Sequence, residues 1–144
     1  MMFPKLFGKM LILLVLSMTT LIAAGADASI ADAAENRDME AIRSLIGQNI
    51  DVNIPQVDGT TAMHWAAYHD ELWTVKLLLR GRANSKVENR YGVTPLSLAL
   101  TNGNVAMVEL FLNAGEDPNA TLSGGETALM TAARTGQVGA VKAL

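Results

Sequence analysis

The feature that most constrains this chain is a repeat. The stretch "TAMHWAAYHDELWTVKLLL" begins at Thr61, "TPLSLALTNGNVAMVELFL" at Thr94 and "TALMTAARTGQVGAVKAL" at Thr127, each start 33 residues after the last. A further step of 33 back reaches Ala28, where "ASIADAAENRDMEAIRSLI" follows the same template more loosely. A fixed period of about this length marks a chain built from stacked copies of one small unit. Such a unit cannot bury its own apolar face and must lean on its neighbours.

The recurring positions describe the unit. Each copy has an apolar third position (Ile30, Met63, Leu96, Leu129), an alanine sixth (Ala33, Ala66, Ala99, Ala132) and an apolar twelfth (Met39, Leu72, Val105, Val138). Further apolar residues follow at helical spacing, as in Leu72, Val75, Leu78 and Leu79. A short polar turn separates the two apolar stretches: "NRD" at 36–38, "HDE" at 69–71, "NGN" at 102–104 and "TGQ" at 135–137. The reading is a pair of short antiparallel helices per unit, with small alanines allowing close approach. Met63, Met107 and Met130 fall on positions read as core-facing, where Met fills gaps. Thr61, Thr94 and Thr127 sit where they can cap a helix, and Pro95 suits a first helical position. Stretches rich in Gly, Pro, Asn and Asp ("NIDVNIPQVDGT", "RANSKVENRYGV", "GEDPNATLSGGE") follow each pair and carry turn chemistry. The expected fold is all-α: four units at about 28–60, 61–93, 94–126 and 127–144, the last incomplete.

With "TPLSLA" and "TAMHWAA" at a 33-residue period, the chain resembles the ankyrin repeat, whose signature is T-P-L-H-x-A. The resemblance covers residues 28–144. It implies a curved solenoid of helix-turn-helix units with projecting hairpin turns, and a protein-binding module with no catalytic activity of its own. His64 falls on the signature histidine, which in this family is structural. Its counterparts are Ser97 and Met130, a departure expected to weaken local bonding.

That position bears on the one stretch that looks chemical, "TAMHWAAYHD" at 61–70. His64 and His69 are five residues apart, about 140° around a helix, and no third histidine or cysteine completes a zinc set. An enzyme using His69 and Asp70 lacks a nucleophile, base and orienter at motif positions. No phosphate-cradling motif follows "GGE" at 124–126. No metal and no cofactor is expected.

Ankyrin-type surfaces bind through turn tips and the inner face of each first helix, so the resemblance implies candidate positions. Trp65, Tyr68 and His69 form the central aromatic candidate; Arg90 and Tyr91 sit on the adjacent turn; Thr101, Asn102 and Arg134 continue the face. In the first unit the equivalent positions are Asp32, Glu35 and Asn36; the turn tips also include Val57, Asp58, Gly124 and Glu126. Trp and Tyr are common interface anchors. The plainer alternative is that Trp65 packs on a neighbouring turn and Tyr68 covers it. Trp73 is either a second contact point or a shield over a loop.

The two ends carry separate expectations. Residues 1–26 read "MMFPKLFGKMLILLVLSMTTLIAAGA": a flank with Lys5 and Lys9, an apolar run, then small residues. This is the pattern of a signal peptide cut after Ala26, with a cut after Ala28 as the near alternative. An uncleaved membrane anchor is the less favoured reading, since the run is short and carries three hydroxyls. With no cysteine at the cut, a lipid-anchored form is not expected. The expectation is a bacterial exported chain, periplasmic or secreted. Beyond residue 26 the Lys+Arg total falls from 11 to 9 while all 14 Asp+Glu remain, a formal charge of −5. With no basic run, nucleic-acid binding is disfavoured. Zero cysteines leave stability to packing alone. The polar residues of the first unit suit a cap. Val138, Val141 and Leu144 would form an open apolar edge, which suggests a fragment or an edge covered by further repeats or another chain. The alternative function is therefore the N-terminal binding arm of a longer enzyme or effector.

Overall fold

The computed structural model describes residues 29–122 and 124–144; the signal-peptide reading of residues 1–26 lies outside them. The described residues form eight helices: α1 (Ile30–Glu35), α2 (Met39–Gly47), α3 (Ala62–Tyr68), α4 (Leu72–Arg80), α5 (Pro95–Asn102), α6 (Val105–Asn113), α7 (Ala128–Arg134) and α8 (Val138–Ala143). Each is too short to persist alone in water, so packing must hold it. They pair as α1/α2, α3/α4, α5/α6 and α7/α8. The first helices α1, α3, α5 and α7 pack in sequence to form one layer, and α6 packs on α8 in the other. Among the described residues there is no strand, only an isolated bridge between Thr121 and Thr127.

The core is what the spacing predicts. Ile30, Met63 and Leu96 are buried at the third position, and all four repeat alanines, Ala33, Ala66, Ala99 and Ala132, are buried at the sixth. Second helices contribute Ile42, Val75, Leu78, Met107, Val108 and Phe111. Burying each such aliphatic or aromatic side chain stabilises the fold by about 1.5–3 kcal/mol. Met130 corrects the sequence reading. It is 56% exposed, and Leu129 beside it is 49% exposed. His64 at the equivalent position is buried because the hairpin of the following unit covers it, and the described residues contain no such hairpin after α7.

Helix starts follow the threonines: Thr61, Thr94 and Thr127 are the N-caps of α3, α5 and α7. The first unit differs by one residue. Ser29 caps α1: its Oγ accepts the Asp32 N–H at 3.0 Å, while Asp32 Oδ2 accepts the Ser29 N–H at 3.3 Å. This reciprocal box overrides the 33-residue register, which points to Ala28.

Three left-handed positions recur in each of the first three units, and the fourth repeats the first of them. The helix-to-helix turn places Arg37, Asp70, Gly103 and Gly136 at φ 58, 59, 73 and 71°. The end of the second helix places Asn49, Arg82 and Gly115 at φ 57, 65 and 94°, and the hairpin tips place Gly59, Gly92 and Gly125 at φ 86, 75 and 83°. The hairpins close by one pattern: Gln56, Asn89 and Leu122 each donate a backbone N–H to the carbonyl four residues on, at 2.8, 3.0 and 2.7 Å.

Val138 and Val141 on α8 are 66% and 37% exposed, while Leu144 is half-buried against the core. No helix among the described residues is long and apolar enough to cross a membrane.

Candidate functional site

The histidine question resolves first. The Thr61 backbone N–H donates to His64 Nδ1 at 3.1 Å, which fixes Nδ1 as the acceptor. Nε2 therefore carries the hydrogen and donates to the Val93 carbonyl at 3.0 Å. His64 is 2% exposed, and burial pushes its pKa below the usual histidine value. Both nitrogens are spent on joining the α3 start to the next hairpin. Ser97 keeps half of this device: its Oγ accepts the Thr94 N–H at 3.1 Å, and Thr94 Oγ1 accepts the Ser97 N–H at 3.1 Å. Met130 has only the capping bond from its own N–H to Thr127 Oγ1, at 3.3 Å.

His69 and Asp70 are not paired with each other. His69 Nε2 donates to the Glu35 carbonyl at 3.0 Å, and Asp70 Oδ1 accepts from Asn104 Nδ2 at 2.8 Å. Both bonds join neighbouring units. Among the described residues no group of three or more His, Asp or Glu is placed to hold a metal ion.

Trp65, Tyr68 and His69 come together on α3, where spacings of three and four residues share one helix face. The Trp65 and Tyr68 rings meet edge to face at 5.7 Å, Trp65 and His69 stack at 5.8 Å, and Tyr68 and His69 meet at 5.2 Å. Tyr68 is 58% exposed, whereas Trp65 is half-buried. The Trp65 indole N–H donates to Gln56 Oε1 at 2.8 Å. The Gln56 amide then donates to Asp32 Oδ1 at 2.8 Å and Glu35 Oε2 at 2.7 Å. One side chain of the first hairpin thus links the aromatic cluster to two carboxylates of α1. Gln56 was missed in the sequence, because a lone polar residue in a turn carries no periodic signal. The Gln56 and Ser29 hydrogen bonds hold the Asp32 carboxyl below its usual range.

The first helices and the hairpin tips enclose a groove of three hollows. One of about 710 Å³ lies between α1 and the first tip, lined by Asp32, Glu35, Asp58, Trp65, Arg90 and Tyr91 among others. The next, of about 320 Å³, has Trp65, Tyr68, Val93 and Leu98 as walls and His64 at its back. The third, of about 220 Å³, contains Leu98, Thr101, Glu126 and Arg134. The groove therefore lines up Trp65, Tyr68, Arg90, Tyr91, Thr101 and Arg134, with His69 stacked behind. Arg90 donates to the Val57 carbonyl at 2.7 Å, and its own N–H to the Asp58 carbonyl at 2.8 Å. Arg134 pairs with Glu126 at 2.9 Å. Asn102 spends its amide on the Ala67 carbonyl at 2.9 Å, tying the second unit to the third.

Trp73 lies away from the groove, on α4. It is 48% exposed, with the guanidinium groups of Arg43 and Arg80 each 5.9 Å from its ring centre.

A stack of helix pairs with a continuous groove of side chains along one layer defines a repeat scaffold for recognition. The chain belongs to the ankyrin-repeat family: the family model "Ankyrin repeats (3 copies)" matches residues 30–122 and 82–144. Ankyrin repeats are protein-interaction modules. The chain is 35% identical over 107 residues to Neurogenic locus notch homolog protein 1 of Xenopus tropicalis, covering 73% of this chain and 4% of that one. It is 31% identical over 107 residues to human Palmitoyltransferase ZDHHC13, covering 74% and 17%. To human Ankyrin repeat and SOCS box protein 3 it is 29% identical over 92 residues, covering 62% and 18%. The chain spans less than a fifth of the length of these relatives.

Proposed function

We propose that this chain is an exported ankyrin-repeat module that binds a protein partner through the groove of its first helices and hairpin tips, with no catalytic activity of its own. The observation that carries this reading is the Trp65–Tyr68–His69 cluster beside Leu98, with Tyr68 exposed and Trp65 fixed by Gln56. A pre-ordered aromatic anchor loses little side-chain freedom on binding, which favours affinity. Recognition is by a rigid surface, since hydrogen bonds between consecutive units fix their spacing. Export rests on the pattern of residues 1–26 and places the module in the periplasm or outside the cell; retention of that segment as an anchor is the less favoured form.

A second reading has one supporting observation. The relatives carry the matching stretch as less than a fifth of their length, and one is named a palmitoyltransferase. On that reading the repeats are the binding arm of a longer enzyme or effector.

The test is capture of a partner from an envelope extract by the native chain and by Trp65→Ala/Tyr68→Ala. The double variant should lose the captured protein while keeping its helical content. Trp73→Ala, on the other layer, should retain it. Equal capture by the native chain and the double variant would remove the groove from the account.

A further inference from the structure

The groove is not uniform along its length, and its two larger hollows differ in chemistry. They share Trp65 and Asp58 as a common wall. The 320 Å³ hollow is the more apolar: Trp65, Tyr68, Val93 and Leu98 form most of its wall, with Asp58, Thr60 and Asn89 at the hairpin side, and the His64 ring behind offers no free nitrogen. The 710 Å³ hollow holds three carboxylates, Asp32, Glu35 and Asp58, against one guanidinium, Arg90. Arg90 is directed at the Val57 carbonyl. The ion pairs Arg37–Glu71, Arg43–Glu40 and Arg134–Glu126 of the described residues include none of the three carboxylates of this hollow. Asp32 and Glu35 are held by the neutral amide of Gln56, so their position is fixed and their charge is left uncompensated.

We infer that the groove takes an extended partner segment carrying an apolar side chain beside a basic one. This rests on the groove being the binding surface. The apolar side chain fills the Trp65–Leu98 hollow. The lysine or arginine lays its aliphatic stem along Trp65 and brings its cation to Asp32 and Glu35. Side chains two apart on an extended strand share a face, which lets both hollows be used by one short segment. The occupant is basic because charge complementarity demands it. An acidic segment would meet three carboxylates against the single guanidinium of Arg90, which already acts on Asp58, and like charges at an interface are strongly discriminated against.

The probe is a pair of blocked tetrapeptides, acetyl-Leu-Ser-Arg-Ser-amide and acetyl-Leu-Ser-Glu-Ser-amide, in which the leucine and the charged residue are two apart and share a face. They are titrated into the full chain carrying Trp73→Phe, so that Trp65 is the sole tryptophan and is excited selectively over the tyrosines. The expected result is saturable change at Trp65 with the arginine peptide, at least about tenfold tighter than with the glutamate peptide at low salt. The preference should shrink as salt rises, because exposed charges are screened. Asp32→Asn with Glu35→Gln, which keeps acceptors for Gln56, should remove the preference while keeping the apolar binding. Equal or reversed affinity for the two peptides would overturn the inference and leave the groove reading standing. No response of Trp65 to either peptide would overturn both. Peptide binding that weakens as protein concentration rises would identify a second copy of the chain as the occupant and overturn the basic-segment assignment.

Discussion

His64 donates from Nε2 to the carbonyl of Val93 across 3.0 Å, and so joins the first helix of one repeat to the hairpin of the next. Its Nδ1 accepts from Thr61 at the same time. His64→Ala removes both bonds, strands a carbonyl and leaves a void, at a cost of about 2–4 kcal/mol. His64→Ser should cost less, because Ser97 shows that a serine keeps the helix-start half of the device. Urea unfolding midpoints check this. Equal loss in both variants would mean that the Val93 bond alone matters.

The same ring gives a pH dependence. Burial lowers the folded pKa of His64 below its unfolded value of 6.5, so the unfolded chain binds the extra proton. Its stability contribution is whole above pH 6.5 and is lost as pH falls below that, down through the folded value. Glu116 has the opposite shift, raised by burial, and its contribution fades as pH rises above its ordinary 4.5. The native chain should therefore lose more stability than His64→Ser between pH 7.5 and pH 5. Parallel losses in the two proteins would contradict the assignment.

Arg82 and Gly103 occupy left-handed backbone at φ 65 and 73°. A side chain there is strained, and it is the Arg82 carbonyl that meets a neighbour, accepting from Asn53 Nδ2 at 3.3 Å. Arg82→Gly should stabilise the fold by about 0.5–1 kcal/mol, and Gly103→Ala should destabilise it by about 1–2 kcal/mol. In Gly103→Ala the new methyl would also displace the flexible end of Gln137. Thermal melts of the two variants should move in opposite directions; movement in the same direction would contradict this account.

The outermost helix should be the least protected. α8 packs chiefly on α6 and α7, and Val138 and Val141 are exposed. Amide exchange at residues 138–143 of the monomer should run well ahead of residues 105–113, whose Met107, Val108 and Phe111 are fully buried. Equal protection of the two helices would show that the open face is held by something other than its packing.

The fold was legible because one pattern recurs. Three of four first helices start at the expected threonine step, and the family resemblance put Trp65, Tyr68 and His69 on one inner face, where their rings meet. Departures come from contacts that the period does not encode. The Ser29–Asp32 box moves α1 by one residue. Met130 is exposed because burial at its position is supplied by the next hairpin, as Val93 does for His64. Gln56 lies in a turn, where neither polarity nor spacing distinguishes a residue that orders the groove from one that faces water.

The central claim is that the groove meets the partner, and photo-crosslinking tests it most directly. Benzoylphenylalanine is placed at position 68 in place of Tyr68, and separately at position 76 in place of Lys76, an exposed residue on the other layer. Irradiation in the partner's presence should join the protein to its partner from position 68 and not from position 76. Crosslinking from position 76 with none from position 68 would contradict the account.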